Sequence, residues 1–367
     1  MRSGKTLALG DAPFAFDKRT TFSLMWGVSL ALMPALIWGL FSFGVPAVIV
    51  VCSSILGALV GEAASSALRR RFTLWDGSAF LTGLLVGMAM PPDIAPFIPA
   101  VAAFFATAVV KGAFGGLGSN WMNPALAGVA FALINWPTEM SSWTLPNRIS
   151  DIASVSGATP LGISRVQGGG LASLAASATD SSVTDALNQG LFSRLGAQLP
   201  GGYIDLAIGN KLGAVGELSG ILILAASIVL LARKVIRWEI PASIVASFAL
   251  LTWSFGGLSI GDGFFSGDVL FAVFSGSFLL VCFFMAPDPV TSPSSRLGML
   301  LYGIGIGAIT FLLRSFGSRS EGTAFAVLLM DCSVPAIARL DAAISRWRAS
   351  RTPAQNGIDR RGRSGTR

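Results

Sequence analysis

Ten apolar runs, most of them about 20 residues long, dominate this chain and leave few folds open to it. A helix needs about 20 apolar residues to cross a hydrocarbon core of about 30 Å. The runs lie at 22–41, 45–67, 77–92, 95–113, 122–137, 214–236, 240–257, 267–287, 296–314 and 322–341. Charged residues make up only 12% of the sequence, about half of what a soluble domain carries. We therefore expect an all-α polytopic membrane protein with about ten transmembrane helices.

Short similarities relate the two halves of the chain. The third run ends in Met88-Ala89-Met90-Pro91-Pro92-Asp93 and the eighth ends in Phe284-Met285-Ala286-Pro287-Asp288-Pro289. Five helices per half would make the second copy inverted in the membrane, and short runs bounded by Pro or Gly are typical of broken helices. The predicted units are a cytoplasmic N-terminal tail (1–21), two inverted five-helix repeats (22–137 and 214–341), an outer-face loop (138–213) and a basic cytoplasmic tail without ordered structure (342–367).

The distribution of positive charge predicts the orientation. An even number of spans puts both termini on one side, and cytoplasmic flanks carry an excess of Lys and Arg. With both termini in the cytoplasm, 20 of the 26 lysines and arginines lie inside. The Arg-rich segment after Trp347 is then a topology anchor beside the lipid bilayer, and we expect no nucleic-acid partner.

Missing residue types limit the chemistry of this chain. It contains no His, and Cys52, Cys282 and Cys332 lie singly in separate apolar runs. These facts exclude a His-ligated haem, a Ser-His-Asp triad and an iron–sulfur cluster built by this chain alone. We expect the three cysteines to be buried apolar residues, and any redox chemistry needs an organic cofactor.

Five segments, in this order, carry a family resemblance. They are Asp76-Gly77-Ser78-Ala79 with the following Leu81-Thr82-Gly83, then Gly115-Gly116-Leu117-Gly118-Ser119-Asn120 with Asn123-Pro124, then Ser156-Gly157-Ala158-Thr159-Pro160-Leu161, Asp288-Pro289-Val290-Thr291 and Arg314-Ser315-Phe316-Gly317. The chain resembles the D-type membrane subunit of Rnf-type ion-translocating ferredoxin:NAD+ oxidoreductases, and the homologous B-type subunit of the Na+-translocating NADH:quinone reductase. The compact length favours the Rnf D-type.

The resemblance implies a flavoprotein. In the family FMN is esterified through its phosphate to the Thr of the Ser-Gly-Ala-Thr motif, which is Thr159 here. Ser156, Gly157 and Ala158 would form the turn that presents it, although such a segment in isolation would be read simply as a turn. This chain has Ala153 where the family pattern has an Asp that helps the flavin transferase. A riboflavin between the helices is also compatible with the family.

Further polar residues are candidates for cofactor binding or ion movement. Gly118, Asn120, Asn123 and Glu217 are expected near flavin, with packing or helix capping as the alternative for each. Ionisable groups close to or within apolar spans are functional candidates, and the chain has three in Asp93, Asp288 and Asp331. They form a predicted ion pathway. Hydration at helix ends is the alternative for Asp93 and Asp288.

The resemblance implies a subunit of an ion-translocating oxidoreductase in the bacterial inner membrane that is catalytically incomplete alone. Its partners would be other membrane and peripheral subunits, among them a flavin-bearing outer-face subunit and iron–sulfur subunits, together with a flavin transferase. Two alternatives stay open. One is a flavin-free channel or transporter for a small solute on the same inverted-repeat architecture, and the other is an assembly subunit without cofactor.

Overall fold

The structure, a computed structural model, describes residues 20–70, 73–144, 146, 156–157, 177–196, 198–259, 263–317 and 322–351. Most of these residues are helical. The first half contains α1 (Thr21–Phe43), α2 (Val45–Arg69), α3 (Ser78–Met88), α4 (Phe97–Phe104, continued by a π-helix at Phe105–Gly112) and α5 (Pro124–Asn135). A minimal antiparallel pair, β1 (Trp143–Thr144) and β2 (Ser156–Gly157), follows, then α6 (Ala178–Leu187, continued through Asn188–Phe192 and Ser193–Leu195) and α7 (Tyr203–Ile208).

The second half begins with α8 (Gly220–Ala232) and α9 (Glu239–Phe255). It continues with α10 (Val269–Phe274), α11 (Phe278–Leu280, continued by a π-helix at Val281–Met285), α12 (Arg296–Phe316) and α13 (Thr323–Arg351). Short 3₁₀ turns lie at Leu74–Asp76, Glu139–Ser141 and Gly256–Ser259. A helix therefore lies within each of the ten apolar runs, and α13 continues past 341 because alanines and other good helix formers follow there.

Within the described residues, five helices are long and apolar enough to cross a membrane: Thr21–Phe43, Val45–Arg69, Glu239–Leu258, Arg296–Phe316 and Thr323–Ile344. Four shorter apolar helices lie at Ser78–Met88, Phe97–Gly112, Pro124–Asn135 and Gly220–Ala232. Large apolar side chains such as Leu30, Ile37 and Phe41 on α1 are more than half exposed. Such faces need a hydrocarbon solvent, and the chain is a multi-pass membrane protein.

Glycines bring two pairs of helices into close contact, one pair in each half. Gly57 and Gly61 of α2 face α4, where a Cβ on Gly57 would lie 2.7 Å from the carbonyl carbon of Ala100. Gly303 and Gly307 of α12 face α9 in the same way, against Ser243 and Ser247. Each pair has the spacing of the small-residue motif that lets backbones approach in membranes.

Carboxylates organise the described part of the outer segment and connect it to the helices. Asp180 accepts hydrogen bonds from the backbone N–H groups of Gly202, Ile204 and Asp205, at 2.6, 2.9 and 3.0 Å. The Tyr203 hydroxyl donates to Asp268 at 2.7 Å. Burial and the neighbouring Asp268 carboxylate raise the pKa of Tyr203 well above its usual range. Tyr203 therefore stays protonated and keeps α7 beside α10.

The cysteines differ in part from the expectation of burial. Cys282 is buried, whereas Cys52 and Cys332 are exposed on the outer faces of α2 and α13. In a membrane span an apolar side chain can face lipid as easily as protein, so hydrophobicity alone does not predict which helix face is buried. The predicted tails at 1–19 and 352–367 lie outside the described residues.

Candidate functional site

A cavity of about 110 Å³ lies where the ends of several helices meet. We call it the lysine cavity, after Lys111. Apolar side chains from α1, α3 and α8 form much of its wall, and the polar residues that line it are Ser78, Thr82, Lys111, Asn120, Asn123 and Asp288. An apolar wall with a few convergent polar groups is the usual composition of a cofactor site.

Asn123 connects the lysine cavity to the second half of the chain. Its side-chain Oδ1 caps α5 by accepting from the N–H of Leu126 at 3.2 Å, and its Nδ2 donates to the carbonyl of Met285 at 2.8 Å. The backbone N–H of Asn123 donates to Asp331 Oδ2 at 3.0 Å, while Tyr302 donates to Asp331 Oδ1 at 2.6 Å. Asp331 is buried and so holds the N-terminus of α5 in place.

Asn120 presents an acceptor to the same cavity. Its Nδ2 donates to the carbonyl of Met122 at 3.1 Å, whereas its buried Oδ1 has no hydrogen-bond partner among the described residues. An orphaned buried oxygen costs about 1–3 kcal/mol unless a ligand or water satisfies it. Gly118, in the turn just before it, has a φ of +93° and is exposed, and no other atom lies within 4 Å of the position that a Cβ would take.

Lys111 and Glu62 form a buried ion pair beside the cavity. Lys111 Nζ lies 2.9 Å from Glu62 Oε2, and the two residues are 1% and 0% exposed. Lys111 also donates to Ser78 Oγ at 2.5 Å, and Ser78 Oγ in turn donates to Asp76 at 2.5 Å. An unpaired charge at this depth would be strongly destabilising, so each side chain requires the other.

The second oxygen of Glu62 is also engaged. Glu62 Oε1 accepts from the hydroxyl of Thr73 and lies 3.9 Å from the guanidinium of Arg69. Arg69 donates to the carbonyl of Gly115 at 2.8 Å, in the glycine-rich turn that precedes Asn120. The network therefore joins the end of α2, the start of α3, the end of α4 and the turn before α5.

A second, smaller cavity of about 20 Å³ lies beside Trp143, and we call it the tryptophan cavity. Its lining residues include Met140, Trp143, Glu217, Met285 and Ala324. Glu217 is buried, and its Oε1 accepts from the N–H of Ala214 at 2.9 Å. Residues 214–218 are held against the end of α3 by backbone hydrogen bonds from Val215 to Met90 and from Gly216 to Met88.

The start of the Ser-Gly-Ala-Thr motif lies beside the tryptophan cavity. Trp143 pairs with Gly157 and Thr144 pairs with Ser156. The hydroxyl of Thr144 donates to Asp93, which is exposed in the turn after α3. Ala158, Thr159 and Ala153 lie outside the described residues.

The structure thus divides the predicted site residues into two groups. Asn120, Asn123 and Asp288 line the lysine cavity, and Asp331 contacts Asn123. Glu217 lines the tryptophan cavity, beside the strand pair that contains Ser156 and Gly157, and Asp93 is attached to the same strand pair through Thr144. Gly118 lies on the surface.

Sequence reasoning missed Lys111, Glu62 and Trp143 as site residues. The charge distribution assigns Lys111 only a role in topology, as a cytoplasmic cation. The available signal was one acidic residue within the second apolar run and one basic residue within the fourth, since buried charges inside a membrane must pair. Trp143 has no comparable signal, because its role depends on pairing with Gly157.

Comparison with known proteins identifies the family. The chain is 36% identical over 333 residues to the D-type subunit of the proton-translocating ferredoxin:NAD(+) oxidoreductase complex of Clostridium ljungdahlii, covering 90% of this chain and 92% of that protein. It is 36% identical over 322 residues to the D-type subunit of the ion-translocating oxidoreductase complex of Stutzerimonas stutzeri, covering 86% and 89%. It is 33% identical over 334 residues to the D-type subunit of the Na(+)-translocating ferredoxin:NAD(+) oxidoreductase complex of Acetobacterium woodii, covering 91% and 93%. The NQR2, RnfD, RnfE family matches residues 8–343, and the chain therefore belongs to this family.

Proposed function

We propose that this chain is the D-type subunit of an ion-translocating oxidoreductase complex and relays electrons through FMN attached to Thr159. The observation that carries the proposal is the pairing of Ser156–Gly157 with Trp143–Thr144 beside the tryptophan cavity. This pairing attaches the first two residues of the predicted acceptor motif to the helical core. Thr159 follows Gly157 by two residues in the sequence.

The residues near this strand pair suit an FMN bound at its surface. A cavity of about 20 Å³ is too small to enclose a flavin ring, so the tryptophan cavity would receive only an edge of the ring or a water molecule. The Thr159 hydroxyl provides the oxygen for a phosphoester, and the small residues around it leave room for the nucleotide. The bound FMN would supply one- and two-electron chemistry. Glu217 accepts from the N–H of Ala214 and so holds residues 214–217 in position next to the tryptophan cavity.

A second, non-covalent flavin such as riboflavin would place the imide edge of its ring in the lysine cavity, because a volume of about 110 Å³ receives only part of a flavin. The orphaned Oδ1 of Asn120 would accept from a ring N–H, and the ammonium of Lys111 would donate to a ring carbonyl. Asn123 holds the wall through Met285 and Asp331. A donor and an acceptor are the types of group that the imide edge of an isoalloxazine ring, with its carbonyls and its N–H, would bind.

The two halves are proposed to be inverted repeats with both termini in the cytoplasm of the bacterial inner membrane. The equivalent glycine contacts, of α2 with α4 and of α9 with α12, support this relation. In this orientation the lysine cavity lies toward the cytoplasmic end and the tryptophan cavity toward the outer end. Electrons would then pass between cofactors on opposite sides of the membrane.

The proposed ion pathway consists of carboxylates that lie at or near the lysine cavity and the tryptophan cavity. Asp331 and Asp288 lie at or beside the lysine cavity, and Asp93 lies near the strand pair. Carboxylates within or next to membrane spans are the usual markers of ion movement. Asp331 is the strongest candidate, because it is buried and contacts the N-terminus of α5.

The chain requires partners to complete a redox reaction. We propose other membrane and peripheral subunits of the complex, including a flavin-bearing outer-face subunit and iron–sulfur subunits, and a flavin transferase that loads Thr159. The names of its relatives as members of such complexes support this proposal.

Fluorescence of the denatured protein in a gel tests the proposal. The chain is produced with a flavin transferase, as wild type, as Thr159→Val and as Thr138→Val, which changes an exposed threonine of the same outer segment. We expect fluorescence that survives denaturation in the wild type and in Thr138→Val, and none in Thr159→Val. No fluorescence in the wild type, while an authentic acceptor protein is labelled in the same cells, would contradict covalent attachment and favour a flavin-free transporter.

A further inference from the structure

Basic side chains gather at one end of α9 and α12. Arg233, Lys234 and Arg237 lie in the turn between α8 and α9, and Arg296 is the first residue of α12. Arg237 donates to the carbonyl of Ser294 at 3.1 Å, so two loops that are 57 residues apart in sequence meet at this point. We call the four cations the basic cluster. A bias of positive charge toward one side of the membrane accounts for their presence but not for their convergence.

The basic cluster carries an excess of positive charge. Glu239, which begins α9, is the only acidic residue within two positions of any member in the sequence. Its Oε1 lies 3.8 Å from Arg296 Nε, and the side chain of Arg296 is 89% exposed. Such an exposed pair is weak, because solvent screens the attraction. In the contacts that the structure describes, Arg237 donates from Nη1 alone. Both guanidinium groups can therefore bind an anion at the surface.

Exposed side chains continue from the basic cluster along both helices. Residues that are exposed and four positions apart form a stripe on each helix: Trp238, Ala242, Ala246 and Leu250 on α9, and Arg296, Leu300 and Ile304 on α12. Residues four apart lie on one face of a helix. The two helices run in the same direction, because Gly303 and Gly307 of α12 meet Ser243 and Ser247 of α9 in that order. Both stripes therefore begin at the basic cluster and extend into the membrane.

Charged and apolar surfaces are arranged here as they are in a phospholipid. Such a lipid has a phosphate at the membrane surface, where the basic cluster lies, and acyl chains that extend along the helices, as the stripes do. Trp238 is 63% exposed and provides an indole at the level of the headgroups, where tryptophan is enriched. Basic pockets between the ends of membrane helices bind anionic headgroups. A zwitterionic headgroup fits less well, because it brings a cation of its own toward the four cations of the cluster.

We propose that the basic cluster binds the headgroup of an anionic phospholipid whose acyl chains lie along the stripes of α9 and α12. Arg237 and Arg296 contact the phosphate, and Arg233 and Lys234 add to the positive potential around it. Because Arg237 also donates to Ser294, the bound lipid joins the α8–α9 turn to the start of α12. This site involves neither a flavin nor the carboxylates of the ion pathway, so it does not depend on the proposed function.

Native mass spectrometry of the full chain in detergent tests this proposal. The delipidated protein is mixed with equal amounts of phosphatidylglycerol and phosphatidylcholine that carry the same acyl chains, and the bound fraction of each lipid is measured. We expect phosphatidylglycerol to bind more tightly. Arg237→Gln combined with Arg296→Gln should weaken its binding by about 30-fold, since each cation near an anionic headgroup contributes a factor of about five. Arg70→Gln combined with Arg194→Gln is the matched control, because it removes two exposed cations elsewhere and should leave binding unchanged.

A second pair of substitutions keeps the test decisive if the first pair lowers the melting temperature of the protein. Arg233→Gln combined with Lys234→Gln removes the other two cations of the basic cluster and should also weaken the binding of phosphatidylglycerol. Equal binding of the two lipids by the parent protein, or an equal loss in the control variant, would overturn the proposal. Displacement of phosphatidylglycerol by inorganic phosphate would overturn it too, because it would show a site for a free anion that makes no use of the stripes.

Discussion

The backbone N–H of Asn123 donates to the carboxylate of Asp331 at 3.0 Å, across 208 residues of sequence. Asn123 begins α5 in the first half, and Asp331 lies inside α13 in the second. The same carboxylate accepts from the hydroxyl of Tyr302 in α12. A single buried acid therefore holds the polar wall of the lysine cavity against two helices of the other half.

Replacing Asp331 separates its structural role from its charge. Asp331→Asn keeps an oxygen for the Asn123 N–H but leaves the buried Tyr302 hydroxyl without its acceptor, so we expect a loss of thermal stability that is smaller than that of Asp331→Ala, which removes both acceptors. If Asp331 is part of the ion pathway, the same variant loses most redox-driven ion uptake into vesicles that contain the complex.

Two further variants provide the controls for Asp331. Asp331→Ala leaves the Asn123 N–H and the Tyr302 hydroxyl without their partner, and should cost about 1–3 kcal/mol of stability. Tyr302→Phe removes one hydrogen bond and should leave ion uptake measurable. Normal uptake by Asp331→Asn would remove this residue from the pathway.

The contact between α2 and α4 should not tolerate a methyl group. Gly57→Ala places a Cβ against the backbone of Ala100, and we expect overpacking to lower the stability by about 1–3 kcal/mol. Gly27→Ala is the matched control, because no atom lies within 4 Å of its Cβ position. Melting temperatures in detergent should fall for Gly57→Ala only, and equal melting temperatures would contradict the close packing.

Asp180 should determine the protease resistance of the outer segment. Asp180→Asn replaces one of the two carboxylate oxygens that accept from Gly202, Ile204 and Asp205 with a donor. A buried donor without an acceptor costs about 1–3 kcal/mol. We expect trypsin to cut faster at the exposed Arg194 in this variant, while Asp185→Asn, at an exposed position of the same helix, behaves as wild type. Equal rates of cleavage would show that Asp180 does not hold α6 and α7 together.

Labelling of single cysteines tests the proposed orientation. In a chain with Cys52, Cys282 and Cys332 replaced by Ala, a membrane-impermeant maleimide should label Ser182→Cys in intact spheroplasts. Arg296→Cys should be labelled only after lysis. Both positions are exposed in the structure, so the difference reports on the side of the membrane. The opposite pattern would invert the assigned direction of electron and ion movement.

Local sequence patterns predicted the positions of the helices better than the contacts between them. Apolar length predicted where helices lie, and Gly or Pro at the ends of 77–92 and 122–137 predicted that α3 and α5 are short. The pairing of Lys111 with Glu62 was not predicted, because it depends on how α2 and α4 pack. The exposure of Cys52 and Cys332 was missed for the same reason.

The candidate site was also predicted unevenly. Asn120 and Asn123 were identified because buried amides need partners, and both line the lysine cavity. Their distance in sequence from Asp331 gave no sign that the backbone of Asn123 contacts this carboxylate. Glu217 and Trp143 share a cavity through the strand pair, and a two-residue strand has no sequence signature of its own.

Mass spectrometry of the tryptic peptide that spans residues 149–165 is the most direct test of a flavin relay. Cleavage after Arg148 and Arg165 releases a peptide in which Thr159 is the only threonine. With a flavin transferase present, we predict a mass increase of one FMN less one water, and fragment ions that assign it to Thr159. An unmodified peptide, or a modification assigned to a serine, would contradict FMN attachment at Thr159, provided that a known acceptor is modified in the same cells.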